Sequence, residues 1–186
     1  LACLFLSACT PLTVSFELFG REKTLTETGA DEDDRAVWKV AVIDIDGLNV
    51  YYELHGEGTE TVTVLNGLTM STVAWATQVK DFAPHFRVLL LDMRGQGQTQ
   101  RTDEETYPLP RQADDLAKLL DRLGIAKTHL FALSYGGIVA QYFALRHPDR
   151  LGRLMLLDTL AWTDEVNRAL HDAIVMAWEA GGTRLR

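Results

Sequence analysis

Apolar residues in the middle of this chain come in short runs separated by polar turns, and strand-like and helix-like spacings follow one another in turn. Val40, Val42, Ile43 and Ile45 precede Asp46-Gly47, and Leu48, Val50, Tyr51 and Leu54 follow it. Two β-rich runs around an Asp-Gly pair predict a hairpin, because the tightest hairpin turn needs positive φ at both central residues. Val62 to Leu65 is a short apolar run ending at Asn66-Gly67, and Arg87 to Leu91 is another after its first residue. Uninterrupted apolar runs of this kind imply burial on both faces, as in a parallel sheet covered by helices. Ser71 to Phe82 has helical spacing through Val73, Ala74, Val79 and Phe82, with Ser71 as its N-cap and Pro84 beyond its end. Gln112 to Leu123 places Leu116, Leu119, Leu120 and Leu123 on one stripe and stops at Gly124. Leu130 to Leu133 reads as a strand, Ile138 to His147 as a helix closed by Pro148, and Leu154 to Leu157 as the last clear strand. A hairpin, three strand–helix alternations and a final strand predict an α/β class fold: a mostly parallel, doubly wound sheet with an N-terminal antiparallel hairpin.

The chain has 186 residues, of which 47% are hydrophobic, enough for one packed core. Its 18 Lys and Arg are scattered and outnumbered by 26 Asp and Glu, giving a net charge of -8. That excludes the basic stripe of a nucleic-acid binder. Only Cys3 and Cys9 are present, too few and too local for a disulfide framework or a metal site.

Composition divides the chain into three parts. Residues 1–19 begin L-A-C-L-F-L-S-A-C-T, an apolar run and small residues that read as the tail of a signal peptide. Leu6-Ser7-Ala8-Cys9 also looks like a bacterial lipobox, which implies lipidation of Cys9 and membrane anchorage in the envelope. An N-terminal stub on a cytoplasmic protein is the other reading. Residues 20–37 are polar and acidic, with Asp-Glu-Asp-Asp at 31–34, and read as a flexible linker. The domain proper is expected over 38–186.

The chemistry concentrates at Thr128 to Gly137, T-H-L-F-A-L-S-Y-G-G. A strand, a sharp turn and a helix there would expose the Ser134 hydroxyl above the sheet, beside backbone N–H groups at a helix N-terminus. This stretch resembles the nucleophile elbow of the α/β-hydrolase family, G-x-S-x-G, with Ala132 in the first position. Three further stretches carry the same resemblance: Asn66-Gly67-Leu68 at the place of the oxyanion loop, Asp92 to Thr99 at the D-x-R-G-x-G-x-S stretch, and Arg146 to Arg150 behind the nucleophile helix. The likeness covers residues 38 to about 165.

The resemblance implies that Ser134 is a nucleophile and that the N–H groups of Tyr135 and Leu68 form the oxyanion hole. Asn66 stands where the family more usually has histidine; it reads equally as a turn asparagine suited to left-handed geometry. Met70 and Trp75 are candidates for an apolar pocket, with core packing the plainer role for Trp75. Asp92 and Arg94 are expected to brace the loop after a buried strand. In the family order the acid and then the histidine follow the serine. Only His147 and His171 follow Ser134, and about twelve helical residues carry His147 away from it. Asp158 as acid and His171 as base are the candidates within the chain. The alternative expectation is truncation, with both groups beyond Arg186.

Thr163 to Ala180 has a helical stripe (Val166, Leu170, Ile174, Ala177, Trp178) where the family's lid begins, and periodicity alone fits a surface helix as well. The expected function is a serine hydrolase of a small-molecule acyl substrate, an ester, lactone or thioester, working through an acyl-enzyme without metal or organic cofactor. The same elbow also serves acyltransferases, cofactor-free haloperoxidases and carbon–carbon bond hydrolases, and a non-catalytic binding protein could keep the fold.

Overall fold

The Asp46-Gly47 turn closes the expected hairpin with φ of 56° and 86°, the paired left-handed geometry of a two-residue loop. In this computed structural model, which describes residues 27–31, 34–104, 106–161 and, beyond them, 165, 168, 169, 172, 173 and 176, it joins two long antiparallel strands. These are β2 (Asp34–Ile45) and β3 (Leu48–His55), with Ile45 opposite Leu48. A further strand, β1 (Glu27–Asp31), pairs antiparallel with β2. The linker reading of residues 20–37 is corrected there. Strand pairing at a sheet edge uses backbone groups, so a polar, acidic stretch can take it up without an apolar pattern.

Four strands follow, β4 (Thr61–Leu65), β5 (Arg87–Leu91), β6 (Thr128–Leu133) and β7 (Leu151–Leu157). They extend the sheet in the order β1-β2-β3-β5-β4-β6-β7. β3 meets β5 antiparallel, while β4 pairs parallel with both β5 and β6, and β6 with β7. The predicted mixed sheet is therefore the observed one. The order puts β4 between β5 and β6, and because β4 and β6 are parallel neighbours the loop leaving β4 and the turn leaving β6 emerge side by side at the same end of the sheet.

Helices cover both faces, which is why β4 is buried along its whole length and β5 after its first residue. α2 (Leu109–Arg122) and α3 (Tyr135–Arg146) pack on one face over a core containing Leu65, Leu89, Leu116, Leu120, Val139 and Phe143. α1 (Ala76–Phe82), preceded by a 3-10 turn at Thr72–Trp75, covers the other over Val62, Val64, Val88 and Leu90. α2 begins three residues earlier than its stripe indicates, since Pro110 in its first turn lacks only an N–H that would have no helical partner. Ser71 precedes the 3-10 turn but makes no side-chain cap; the Thr72 N–H is taken by Asp92 Oδ1 at 2.9 Å. A carboxylate just after β5 thus satisfies the first free N–H of this turn, and the serine's side chain takes no part.

α2 and α3 are tied on their outer faces by Asp114, which accepts Arg146 Nε at 2.9 Å, Arg146 Nη2 at 2.7 Å and His147 Nε2 at 2.8 Å. At the far edge β7 pairs only with β6 among the described residues, and Met155 is 55% exposed with Leu154 and Leu156 beside it. Most of 163–180 lies outside the described residues, as do Cys3, Cys9 and His171; Glu165, Arg168, Ala169, Asp172, Ala173 and Met176 are helical. Among the described residues no helix is long and apolar enough to cross a membrane.

Two stability tests follow from this packing. Phe143 is fully buried in the α2–α3 core, so Phe143→Ala is expected to lower unfolding free energy by about 3–5 kcal/mol in urea denaturation. Asp114 has its carboxyl held below the ordinary value of 3.8, first by the Arg146 hydrogen bond, against a smaller opposing effect of burial, with His147 adding to the lowering. A depressed carboxylate contributes stability that is full above its unfolded value and is lost as pH falls through its folded value. Asp114→Asn should therefore narrow the melting-temperature difference between pH 6 and pH 3, modestly because the pair is partly exposed.

Candidate active site

β6 ends at Leu133 and α3 begins at Tyr135, leaving Ser134 alone in the turn with φ 50° and ψ -116°. No ordinary L-residue basin lies there. The conformation is held from three sides. Ser134 N–H donates to Leu157 O at 2.8 Å, and Ser134 O accepts from Gly137 N at 2.9 Å and from Thr159 Oγ1 at 2.7 Å. The glycines of the elbow serve close approach rather than turning. A Cβ on Gly136 would lie 2.6 Å from Asn66 O and 2.7 Å from Leu65 O, and one on Gly137 would lie 2.5 Å from Thr159 Oγ1. Ala132, where the family pattern has glycine, is fully buried, with Leu65 and Leu156 opposite it on the neighbouring strands.

The loop after β4 lies against the elbow: a Cβ on Gly67 would come within 3.7 Å of Ser134 Cβ. Leu68 is half exposed at its tip, and Thr69, at φ 64°, makes the bend. The left-handed role considered for Asn66 is corrected here, because Thr69 takes that geometry and Asn66 does not. Asn66 is instead 1% exposed at the hub of a polar network. Its Nδ2 donates to Leu91 O at 3.0 Å, to Gln96 Oε1 at 3.3 Å and to Asp92 Oδ1 at 3.4 Å, while its Oδ1 accepts Trp75 Nε1 at 2.7 Å. Gln96 Nε2 in turn donates to Gly67 O at 2.9 Å.

Asp92 and Arg94 do the bracing expected of them, through different partners. Asp92, fully buried, accepts Thr72 N and Gln98 N at 2.9 and 2.8 Å. Arg94 turns to α2, giving Nε and Nη2 to Asp115 at 2.9 and 3.2 Å and Nη1 to Glu104 at 3.1 Å. Trp75 is a core residue, 5% exposed and edge-on to Phe131, and its own ring N–H serves Asn66. Met70 packs partly buried beside it with its sulfur near Gly67.

Ser134, Tyr135 and Leu68 are thus brought together. As the first residue of α3, Tyr135 has an N–H with no partner inside the helix. Asp158 directly follows β7, exposed, with φ 45°. His147 is engaged with Asp114 at the opposite end of α3. His171, the candidate base, lies outside the described residues. Two residues that matter to this geometry carried no usable signal: Gln96 is an unspecified position in its motif, and Thr159 lies in no motif. Among the described residues no group of three His, Cys, Asp or Glu is arranged to hold a metal ion.

A family model described as alpha/beta hydrolase fold matches residues 60–179. Among curated proteins, "Putative carbamate hydrolase RutD" of Caulobacter vibrioides is 37% identical over 131 residues, 69% of this chain and 48% of that protein. Among solved structures, a hydrolase from Pseudomonas aeruginosa PA01 superposes with a TM-score of 0.66 at 33% identity, over 74% of this chain and 52% of that one. The enol-lactonase from Burkholderia xenovorans LB400 gives 0.63 at 29% identity, over 72% and 58%. The chain spans about half the length of the curated relatives it matches.

The network around Asn66 makes one further expectation measurable. Trp75→Phe removes the only N–H that reaches Asn66 Oδ1 among the described residues while keeping an aromatic ring. Leaving a buried acceptor unpaired costs about 1–3 kcal/mol, to be read as a lower urea midpoint at unchanged slope.

Proposed function

Because the chain belongs to the alpha/beta hydrolase fold family, we propose that Ser134 is the nucleophile of a hydrolase acting on a small acyl substrate. The substrate class is an ester, lactone or thioester. In the first half-reaction Ser134 Oγ adds to the acyl carbon and gives its proton to a base. The carbonyl oxygen becomes an oxyanion, and the leaving alcohol or thiol departs with a proton. Water then attacks the acyl-enzyme and releases the acid.

The N–H groups of Tyr135 and Leu68 take the oxyanion. Backbone donors cost no reorganisation at the moment of reaction, and one such donor is commonly worth about 3 kcal/mol. Asp158, exposed at the end of the strand next to β6, is the candidate acid within the described residues. His171 is the candidate base.

The observation that carries this reading is the conformation of Ser134 itself. A non-glycine residue at φ 50° and ψ -116°, between a buried strand and a helix N-terminus, is strained by about 1–3 kcal/mol. The loop of Leu68 runs alongside it. Strain of this kind at a strand–helix turn raises the hydroxyl clear of the sheet.

The test is fluorophosphonate labelling of the folded full chain with mass spectrometry of the modified peptide. Label is expected on Ser134, and Ser134→Ala should abolish it and lower p-nitrophenyl acetate hydrolysis by roughly 10³-fold or more. Undiminished hydrolysis in folded Ser134→Ala would overturn the proposal.

A further inference from the structure

A trans peptide is planar, with its C=O and N–H pointing in opposite directions. The carbonyl of Ser134 and the N–H of Tyr135 belong to one such plane, so whatever grips the carbonyl also aims the N–H. Two donors grip it: the Gly137 N–H, which belongs to the first turn of α3, and the hydroxyl of Thr159. Among the described residues Thr159 is the one side chain that bonds this peptide.

We propose that Thr159 is a positioning residue for the oxyanion hole, holding the Ser134–Tyr135 peptide so that the Tyr135 N–H faces the substrate oxygen. The proposal rests on the reading of Ser134 as nucleophile and Tyr135 as donor. Its physical basis is the strain at Ser134. Turning ψ from -116° by about 160° would bring the residue into the ordinary left-handed basin near φ 57°, ψ 47°. That rotation reverses the peptide plane and takes the Tyr135 N–H away from the site. Relief of strain and loss of the oxyanion donor are therefore one motion, and the Thr159 hydrogen bond opposes it.

The surroundings fit a built device. Thr159 occupies the space that a side chain on residue 137 would fill, with its Oγ1 only 2.5 Å from where that Cβ would lie. Its own backbone is pinned on both sides. On one side Leu157 O accepts Ser134 N at 2.8 Å, and on the other Leu160 O accepts Gln141 Nε2 of α3 at 2.8 Å. Asp158, between them, has φ 45°, so two residues with positive φ lie at matching ends of adjacent parallel strands, where Leu133 pairs with Leu157. A carbonyl that accepts two hydrogen bonds also polarises its own peptide, making the N–H on the other side a stronger donor.

The experiment compares kcat and KM for p-nitrophenyl acetate, and the affinity of an alkyl boronic acid, in the full-length wild type, Thr159→Val and Thr159→Ser. Thr159→Val keeps the shape and loses the hydroxyl. It should lower kcat and boronate affinity about tenfold, the worth of one hydrogen bond, with KM within twofold. Thr159→Ser should recover both to within about threefold. Gln141→Met frees the Leu160 carbonyl and the Gly137 carbonyl that the same amide reaches, with Thr159 intact. It should lower kcat several-fold at constant KM, which keeps the test open if Thr159→Val does not fold, and unchanged kcat in it would overturn the proposal. Wild-type kcat in Thr159→Val, or equal losses in the serine and valine variants, would overturn the role of the hydroxyl. If Ser134→Ala retains activity, it is the nucleophile reading that fails; a wild type labelled at Ser134 beside an unaffected Thr159→Val isolates the failure to Thr159.

Discussion

The start of α3 touches the end of β4 backbone to backbone, and the site depends on that contact. Gly136 rests on the carbonyls of Leu65 and Asn66 with no room for a Cβ. This approach brings the turn after β6 within reach of the loop after β4, so that a serine and two backbone N–H groups from segments 66 residues apart in sequence share one corner of the sheet. Strand order makes it available, since β4 and β6 are direct neighbours. A methyl group at position 136 would push the helix off the sheet and separate Tyr135 from Leu68, whatever the identity of the serine.

Around that corner the structure buries a carboxylate without a cation at hand. Asp92 is satisfied by backbone N–H groups of Thr72 and Gln98 and by the Asn66 amide, while Arg94, two residues on, spends its charge on Asp115 and Glu104. A buried carboxylate is tolerable when donors surround it, and costly when they are missing. Each of those donors belongs to a different loop, so satisfying Asp92 and Asn66 together fixes how the 3-10 turn at Thr72, the loop at Gln96 and the backbone of Gly67 sit relative to one another. The polar network holds the loops around Ser134 in place without a hydrogen bond to Ser134 itself.

The opposite side of the elbow is held by β7 and the residues after it. β7 is itself partly exposed on apolar side chains, yet its end supplies the acceptor for Ser134 N–H and, through Thr159, a donor for Ser134 O. The conformation of Ser134 is thus held from two neighbouring strands, β4 through carbonyl packing and β7 through hydrogen bonds.

Local chemistry made much of this legible in one dimension. Asp46-Gly47 demands a tight hairpin turn, the continuous runs at 62–65 and 87–91 demand burial on two faces, and Ala132-Leu133-Ser134-Tyr135-Gly136 demands a strand, a bend and a helix, because each depends on residues within a few positions of one another. Strand β1 escaped that reading, since edge pairing is made by backbone and leaves no apolar pattern. Ser71 misled it, because its side chain caps nothing, while the first N–H of the turn, that of Thr72, goes to Asp92, 20 residues on. The work of Asn66, Gln96 and Thr159 was likewise invisible: their partners lie 9 to 30 residues away. A hydrogen bond between distant residues imposes no periodicity on the chain, so the sequence by itself determined the elements and the turn at Ser134, and only the tertiary structure decided which polar side chains hold that turn in place.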